Sequence, residues 1–221
     1  MTNSILYVLY YNEETKARAI REYGTNLICR LLYVPTSVYF ESFVIMELLI
    51  QKIDEWKSCD YVGIISYKAR DKCFIPEDFS KLATAKKEDY QIIHFYNAPS
   101  KEFYLEHGYY VHKNLKQIIT ILSELIPINF QKMVPIWCNY WFMTPTVLYK
   151  YILFLRHVKT IFESNSELKC LLYDDAGWAY PPPTFTEATG LKHYPHHPFV
   201  MERMTGIFAG DFKTAFYSSL T

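Results

Sequence analysis

Residues 5–10 read Ile-Leu-Tyr-Val-Leu-Tyr, and residues 61–67 read Tyr-Val-Gly-Ile-Ile-Ser-Tyr. Both are short, continuous apolar runs rich in β-branched and aromatic residues, which predicts buried strands. Strands that are apolar on both sides belong to sheets covered on both faces. The sequence between and beyond them fits that picture. A second strand is expected over 28–34, closed by Pro35. Thr36 or Ser37 then caps a helix expected to run to about residue 57. Phe43, Met46, Leu49, Ile53 and Trp56 fall at spacings of three and four, with Glu47, Gln51, Asp54 and Glu55 on the opposite side.

The same alternation continues down the chain. A helical piece is expected over 76–87 and a strand over 90–96. A helix over 113–125 presents Leu115, Ile118, Ile119, Leu122 and Leu125 on one face, and Pro127 stops it. A strand is expected over 136–143. Thr144 caps the next helix, with Pro145 at its first position, running to about residue 162 on Leu148, Ile152, Leu155 and Phe162. Pro198 opens a last helix to about residue 209. Strands alternating with helices predict an α/β layer fold, here a single Rossmann-like domain over 1–221 with a mostly parallel central sheet and helices on both faces. Ligands in such folds bind beyond the carboxyl ends of the strands. That rule selects Tyr11 and Asn12, the 68–72 loop, the 97–101 loop with Asn97, and the loop after Asp174.

Composition narrows the function. The 221 residues carry 23 basic and 23 acidic side chains, half of them are hydrophobic, and there are 20 Tyr and 15 Phe. A chain of this kind buries a large core. It lacks the basic excess of a dedicated nucleic-acid binder, so no nucleic-acid partner is expected. The five cysteines, Cys29, Cys59, Cys73, Cys138 and Cys170, form no CxxC pair. They predict reduced core thiols rather than a disulfide framework or a zinc site. The first residues lack the basic region of a signal peptide, and no stretch reaches the ~18 apolar residues of a membrane span. A cytoplasmic location follows as the expectation. GxGxxG, the P-loop and GxSxG are all absent, which removes the main sequence support for dehydrogenase, kinase and serine-hydrolase readings.

Four segments have letters that suit chemistry. Lys68, Arg70 and Lys72 follow a predicted strand and match a pyrophosphate, the arginine as a fork and the lysines as point charges; a solvated turn would carry the same letters. Asp174 and Asp175, beside Gly177 and Trp178, suit metal coordination or a general base, and equally an Asx-type turn. His193, His196 and His197 invite a metal reading or an anion at a helix N-terminus. Asn97 stands at a strand end, where a capped turn is the plain alternative.

Taken in order, the segments ILYVLYYN (5–12), ELLIQKIDEWKSCDYVGIISYKARDK (47–72), PIWCNYWFMTPTVLYKYI (135–152) and YPHHPFVMERMTGIFAG (194–210) resemble GT-A-type glycosyltransferases. More narrowly, they resemble the small capsular-polysaccharide-type transferases of bacteria and large DNA viruses, in which an aromatic-X-X-Glu-Arg segment follows the acceptor half of the site. The resemblance implies a donor half over about 1–100 and an acceptor half over about 101–221. It implies a nucleotide-sugar donor met by Tyr10, Tyr11, Asn12, Lys68, Arg70, Lys72 and Asn97. The glycan acceptor would meet Trp178, Tyr180, Tyr140 and Arg203, and Asp175, Asp174 or Glu202 would take the acceptor proton. The location implied is cytoplasmic, the host cytoplasm if the chain is viral. These enzymes usually hold Mn²⁺ or Mg²⁺ on an Asp-X-Asp, and this chain has no Asp-X-Asp. Either Asp174 or Asp175 with a histidine, His196 or His197, replaces it, or the metal site is missing and Lys68, Arg70 and Lys72 neutralise the leaving diphosphate. Two rival readings use the same segments: an inactive nucleotide- or glycan-binding module, and a metal-dependent hydrolase built on the Asp174–Asp175 pair and the histidines. A third, an interaction protein, uses only the tyrosine-rich surface.

Overall fold

The computed structural model describes residues 3–96 and 99–220. Six strands among them form one sheet: β1 (Ile5–Tyr10), β2 (Cys29–Tyr33), β3 (Val62–Ser66), β4 (Ile92–His94), β5 (Trp141–Met143) and β6 (Thr214–Phe216). Their order is β2-β1-β3-β5-β4-β6. β1 is parallel to β2 and to β3, and β4 is parallel to β6. β5 is antiparallel to both of its neighbours, so the sheet is mixed rather than wholly parallel. The reversal has a simple cause. His94 closes β4 directly opposite Trp141, which opens β5, so the connection between them comes back to the end of the sheet that it left.

Side chains alternate between two cores, as the period of a strand demands. Tyr7, Leu9, Ile64, Ile92, Trp141 and Met143 enter one, and Leu6, Val8, Ile65, Ile93 and Phe142 enter the other. Helix α1 (Glu13–Tyr23) covers the second face through Ala19 and Tyr23. The first face is covered by α2 (Lys101–Val111), α3 (Leu115–Leu125), α4 (Pro145–Ser164), α5 (Ser166–Tyr173) and α7 (His197–Ala209), with α6 (Pro183–Thr189) lying between α5 and α7 in the chain. None of the described helices is long and apolar enough to cross a membrane.

Several boundaries differ from the sequence expectation, each for a local reason. The helix expected from Thr36 or Ser37 starts at Glu41, because the Ser37 hydroxyl accepts from the Tyr39 amide in a turn and Phe40 sits at φ 47°, ψ −127°. That helix is also uneven: Val44–Leu48 is a π turn, and Lys52 interrupts the ladder before Ile53–Trp56. Only Ser80–Ala83 coils within 76–87, where Asp78 ties up the Ser80 amide and hydroxyl. Strands 90–96 and 136–143 shrink to three residues each, the second because Cys138 takes φ 58° and cannot continue a ladder. Thr144 is the N-cap residue of α4, but its side chain makes no capping bond. Helices α1, α2, α5 and α6 and strand β6 were not expected.

Candidate functional site

Strand order reverses at β1, whose connection to β2 goes one way across the sheet and onward to β3 the other. Crevices at such switch points are where open α/β sheets bind ligands. A cavity of about 390 Å³ lies there, within the size range of small-molecule sites. Its floor comes from the strand ends: Tyr11 after β1, Ser66, Tyr67 and Lys68 at the end of β3, and Cys138, Asn139 and Tyr140 leading into β5. Lys72 on the short helix after β3 and Glu41 after β2 complete the polar side. The opposite wall is aromatic, with Phe40, Trp178, Tyr194 and Phe199, and it carries Glu202 from α7. Three described non-glycine residues have positive φ, Phe40, Asn114 and Cys138. Two of them, Phe40 and Cys138, line this cavity, and backbone strain of this kind concentrates at functional sites.

The charged groups face one another across the space. The Tyr11 hydroxyl donates to Glu41 Oε1 at 2.5 Å, and burial followed by the Glu41 charge holds that hydroxyl protonated. Ser66 Oγ and the Tyr140 hydroxyl share a buried hydrogen bond of 2.6 Å. Lys72 Nζ lies 3.6 Å from Cys138 Sγ and 5.6 Å from the centre of the Tyr140 ring. Burial, the largest influence, pulls the Lys72 ammonium toward its neutral form, while Cys138 and the Glu41 and Glu202 carboxylates act the other way and leave its pKa raised. Burial also pushes the Cys138 thiol up to about 12. The thiol is therefore neutral at physiological pH, and the two carboxylates are the negative charges near Lys72.

Behind the cavity, Arg203 is 4% exposed. Its Nη1 donates to Glu202 Oε1 at 3.2 Å and to the Phe199 carbonyl at 3.3 Å. The guanidinium stacks 4.9 Å from the Tyr104 ring. It fits because residue 108 is glycine: a Cβ there would come within 2.7 Å of Arg203 Nη2. His112 stacks on Phe199 with ring centres 3.7 Å apart and also touches Trp178. Burial followed by Arg203 lowers its pKa to about 4, so it is a neutral ring against the aromatic wall.

The structure divides the residues singled out from the sequence. Tyr11, Lys68, Lys72, Tyr140, Trp178 and Glu202 line the cavity. Tyr10 packs on Tyr33 beside Lys16 instead. The Asn12 side chain caps α1 by accepting from the Thr15 amide at 2.9 Å. Arg70 lies 4.9 Å from the Tyr23 ring and lines a separate polar cavity of about 220 Å³ with Arg21 and Glu77. Tyr180 is 94% exposed and outside the lining. Asn97 lies outside the described residues. Asp174 accepts from Asn114 Nδ2 at 2.8 Å and from the Asp175 amide, and Asp175 accepts from the Gly177 amide. The last two are turn bonds, the first ties Asp174 to the residue before α3, and neither aspartate lines the cavity. Both ring nitrogens of His196 are buried without a partner. The His197 ring meets Tyr39 and Tyr173 edge-on. Among the described residues, no three His, Cys, Asp or Glu side chains come together as metal ligands.

Sequence reasoning passed over Glu41, Ser66, Cys138, Phe40 and Tyr194. Ser66 was within reach of the strand-end rule. Glu41 was hidden inside a helical pattern. A scan against protein-family models, a search of curated proteins and a search of solved structures each find no match for this chain.

Proposed function

We propose that this protein is a glycosyltransferase of GT-A type that moves a sugar from a nucleotide-sugar donor to a glycan or other hydroxyl acceptor. The observation that carries the reading is one cavity, at the strand-order switch, that holds two lysines, Lys68 and Lys72, with the carboxylate of Glu202 on a facing aromatic wall. Sugar transfer needs those parts. The acceptor hydroxyl loses its proton to a carboxylate, its oxygen bonds to the anomeric carbon, and the bond from that carbon to the diphosphate oxygen breaks. The electron pair leaves on the diphosphate, where fixed cations stabilise it.

Glu202 takes the role of proton acceptor in this reading. It replaces Asp174 and Asp175, which do not line the cavity. Lys68 and Lys72 neutralise the diphosphate, Arg70 being turned to another cavity. Trp178, Tyr194 and Phe199 offer flat faces to a sugar ring. Mn²⁺ or Mg²⁺ does not fit the donor set among the described residues. No three described His, Cys, Asp or Glu side chains come together there, and Lys68 and Lys72 are cations in the lining. We assign the protein to the cytoplasm, of the host if the chain is viral, on the strength of its five free thiols.

A thermal-shift screen of nucleoside diphosphates and nucleotide sugars, with and without Mn²⁺, tests the reading. A ligand at 100 times its dissociation constant stabilises the fold by about 2.7 kcal/mol. We expect one nucleoside diphosphate family to stabilise without Mn²⁺, and Glu202→Gln to bind the nucleotide sugar while losing transfer. A flat response across the panel overturns the proposal. Binding with no turnover of any acceptor supports an inactive binding module on the same fold.

A further inference from the structure

Arg21 and Arg70 pair with no described carboxylate, although two, Glu22 and Glu77, line the same cavity of about 220 Å³. This cavity is separate from the one at the switch point, for no residue lines both. The short helix Ala69–Lys72 sends Lys72 to one and Arg70 to the other. Its walls are tied together. Asn26 Nδ2 donates to the Glu77 carbonyl at 3.1 Å, which joins the chain after Pro76 to the end of α1. Glu22 is held by one oxygen: Oε1 accepts from Arg18 Nε at 2.6 Å, and Arg18 is itself bound to Asp71 at 2.5 Å. The other oxygen, Oε2, is buried with no hydrogen-bond partner among the described residues. The hydroxyl of Tyr23, a residue 2% exposed, has none either. Burial, then the Glu22 charge, raises the pKa of that hydroxyl, and the Arg70 charge and amide lower it, so both residues lie close to it. The Arg70 guanidinium lies 4.9 Å from the centre of the Tyr23 ring.

A buried carboxylate oxygen and a buried hydroxyl without partners cost free energy that a bound ligand recovers. Charge decides which ligand. Two guanidiniums and two carboxylates line one small space, so a phosphate meets repulsion along with attraction. A neutral sugar leaves both guanidiniums unmatched. A molecule with one anionic and one cationic end satisfies both signs. The guanidinium fork matches a carboxylate in two parallel bonds, and an ammonium brings three donors for carboxylate and hydroxyl oxygens. The volume lies below that of drug-sized sites, which suits a small ligand. We propose that this cavity is a second ligand site, built for a free α-amino acid, with Arg21 and Arg70 holding its carboxylate and Glu22 Oε2 and the Tyr23 hydroxyl meeting its ammonium. Such a site needs nothing from the nucleotide-sugar reading above.

Isothermal titration of the full chain with the common L-amino acids and with inorganic phosphate provides the test, followed by the methyl ester and the N-acetyl form of whichever amino acid binds. We expect at least one amino acid to bind. Each blocked form should bind at least about tenfold more weakly, having lost a charge-assisted hydrogen bond. Arg70→Gln should weaken the free amino acid by about tenfold and narrow its advantage over the methyl ester. Glu22→Gln should narrow its advantage over the N-acetyl form, and a glutamine there still accepts from Arg18. The blocked ligands report on the wild type and need no variant to fold. No heat from any amino acid overturns the proposal, as does phosphate binding in their place. Blocked forms that bind as tightly as the free amino acid overturn it too, and so do two variants that both keep wild-type affinity. None of these outcomes bears on the switch-point cavity, which stands or falls on the nucleotide screen.

Discussion

Lys72 and Arg70 are two residues apart and carry the same charge, but the structure sends them to different places. Lys72 points into the switch-point cavity between Cys138 and the Tyr140 ring, whereas Arg70 covers Tyr23 on the far side of the strand end. Lys72→Ala should therefore weaken nucleoside diphosphate binding by about 10- to 100-fold, the worth of one charge-assisted hydrogen bond of about 1.5–3 kcal/mol. Arg70→Ala should leave it within about twofold, a surface change of under about 0.5 kcal/mol. Titration of the two variants side by side checks this, and an equal loss from both would break the assignment of the cavity. The example also marks how far residues can be read from sequence. Three cations after an apolar strand were legible as a strand-end group, but the helical turn at Ala69–Lys72 that splits them was not. Asp174 and Asp175 misled for a related reason, since adjacent aspartates beside a glycine carry the same letters in a catalytic pair and in an Asx turn. Glu41 was invisible because its place in the cavity depends on Tyr11, thirty positions away in the chain and 2.5 Å away in space.

At the scale of elements, periodicity was decisive where an element is buried along its length. The reading placed β1 at its observed residues, and it placed β3, α3, α4 and α7 within a few residues of theirs. It failed where pairing partners set the boundary. β4 and β5 are three residues each, and Cys138, at φ 58°, leaves the extended backbone ahead of β5 and lines the cavity. β6 exists only because Ile92, Ile93 and His94 offer it an edge. The antiparallel entry of β5 is such a tertiary fact, and it leans on one glycine. Gly63 in β3 lies opposite Phe142 in β5, and a Cβ at 63 would come within 2.5 Å of the Phe142 ring and 2.8 Å of Leu6. Both neighbours are wholly buried, so neither ring nor leucine has space to retreat. Gly63→Ala should cost about 1–3 kcal/mol as an overpacked core, despite the better strand propensity of alanine. Gly63→Ala with Phe142→Leu should recover part of that loss. Denaturant midpoints measured for the single and double variants decide it, and a neutral Gly63→Ala would mean that β3 and β5 do not meet in this register.

The whole molecule carries its pH dependence in buried imidazoles. His94, His112, His196 and His197 are each 5% exposed or less. Burial, the leading cause in all four, lowers their pKa values to about 4, 4, 4 and 3. An unfolded histidine titrates near 6.5. Between those values the unfolded chain binds protons that the folded chain refuses, so stability rises with pH through this window and is lost as pH falls from about 6.5 toward 4. Carboxylates work in a lower window. Asp60, Glu55 and Asp71 are held below their usual range, chiefly by hydrogen bonds from Lys87, Lys52 and Arg18, and their contribution fades only below about pH 4. A shift of about two units in one histidine is on the order of 3 kcal/mol, and a domain has only about 5–15 kcal/mol in total. A few such groups therefore suffice to unfold the chain before the carboxylates are protonated. We expect a cooperative acid transition, followed by near-UV circular dichroism, with its midpoint between pH 4 and 6. His197 allows the cause to be isolated, because Tyr39 and Tyr173 meet its ring edge-on and its Nδ1 bonds to nothing. His197→Phe fits an aromatic surround and removes one proton-binding site from the unfolded chain, so it should move the midpoint to lower pH while leaving stability at pH 7.5 little changed. A midpoint below pH 3.5 in the wild type, or a His197→Phe transition that does not move, would return the acid sensitivity to the carboxylates and mean that these imidazoles are reached by solvent.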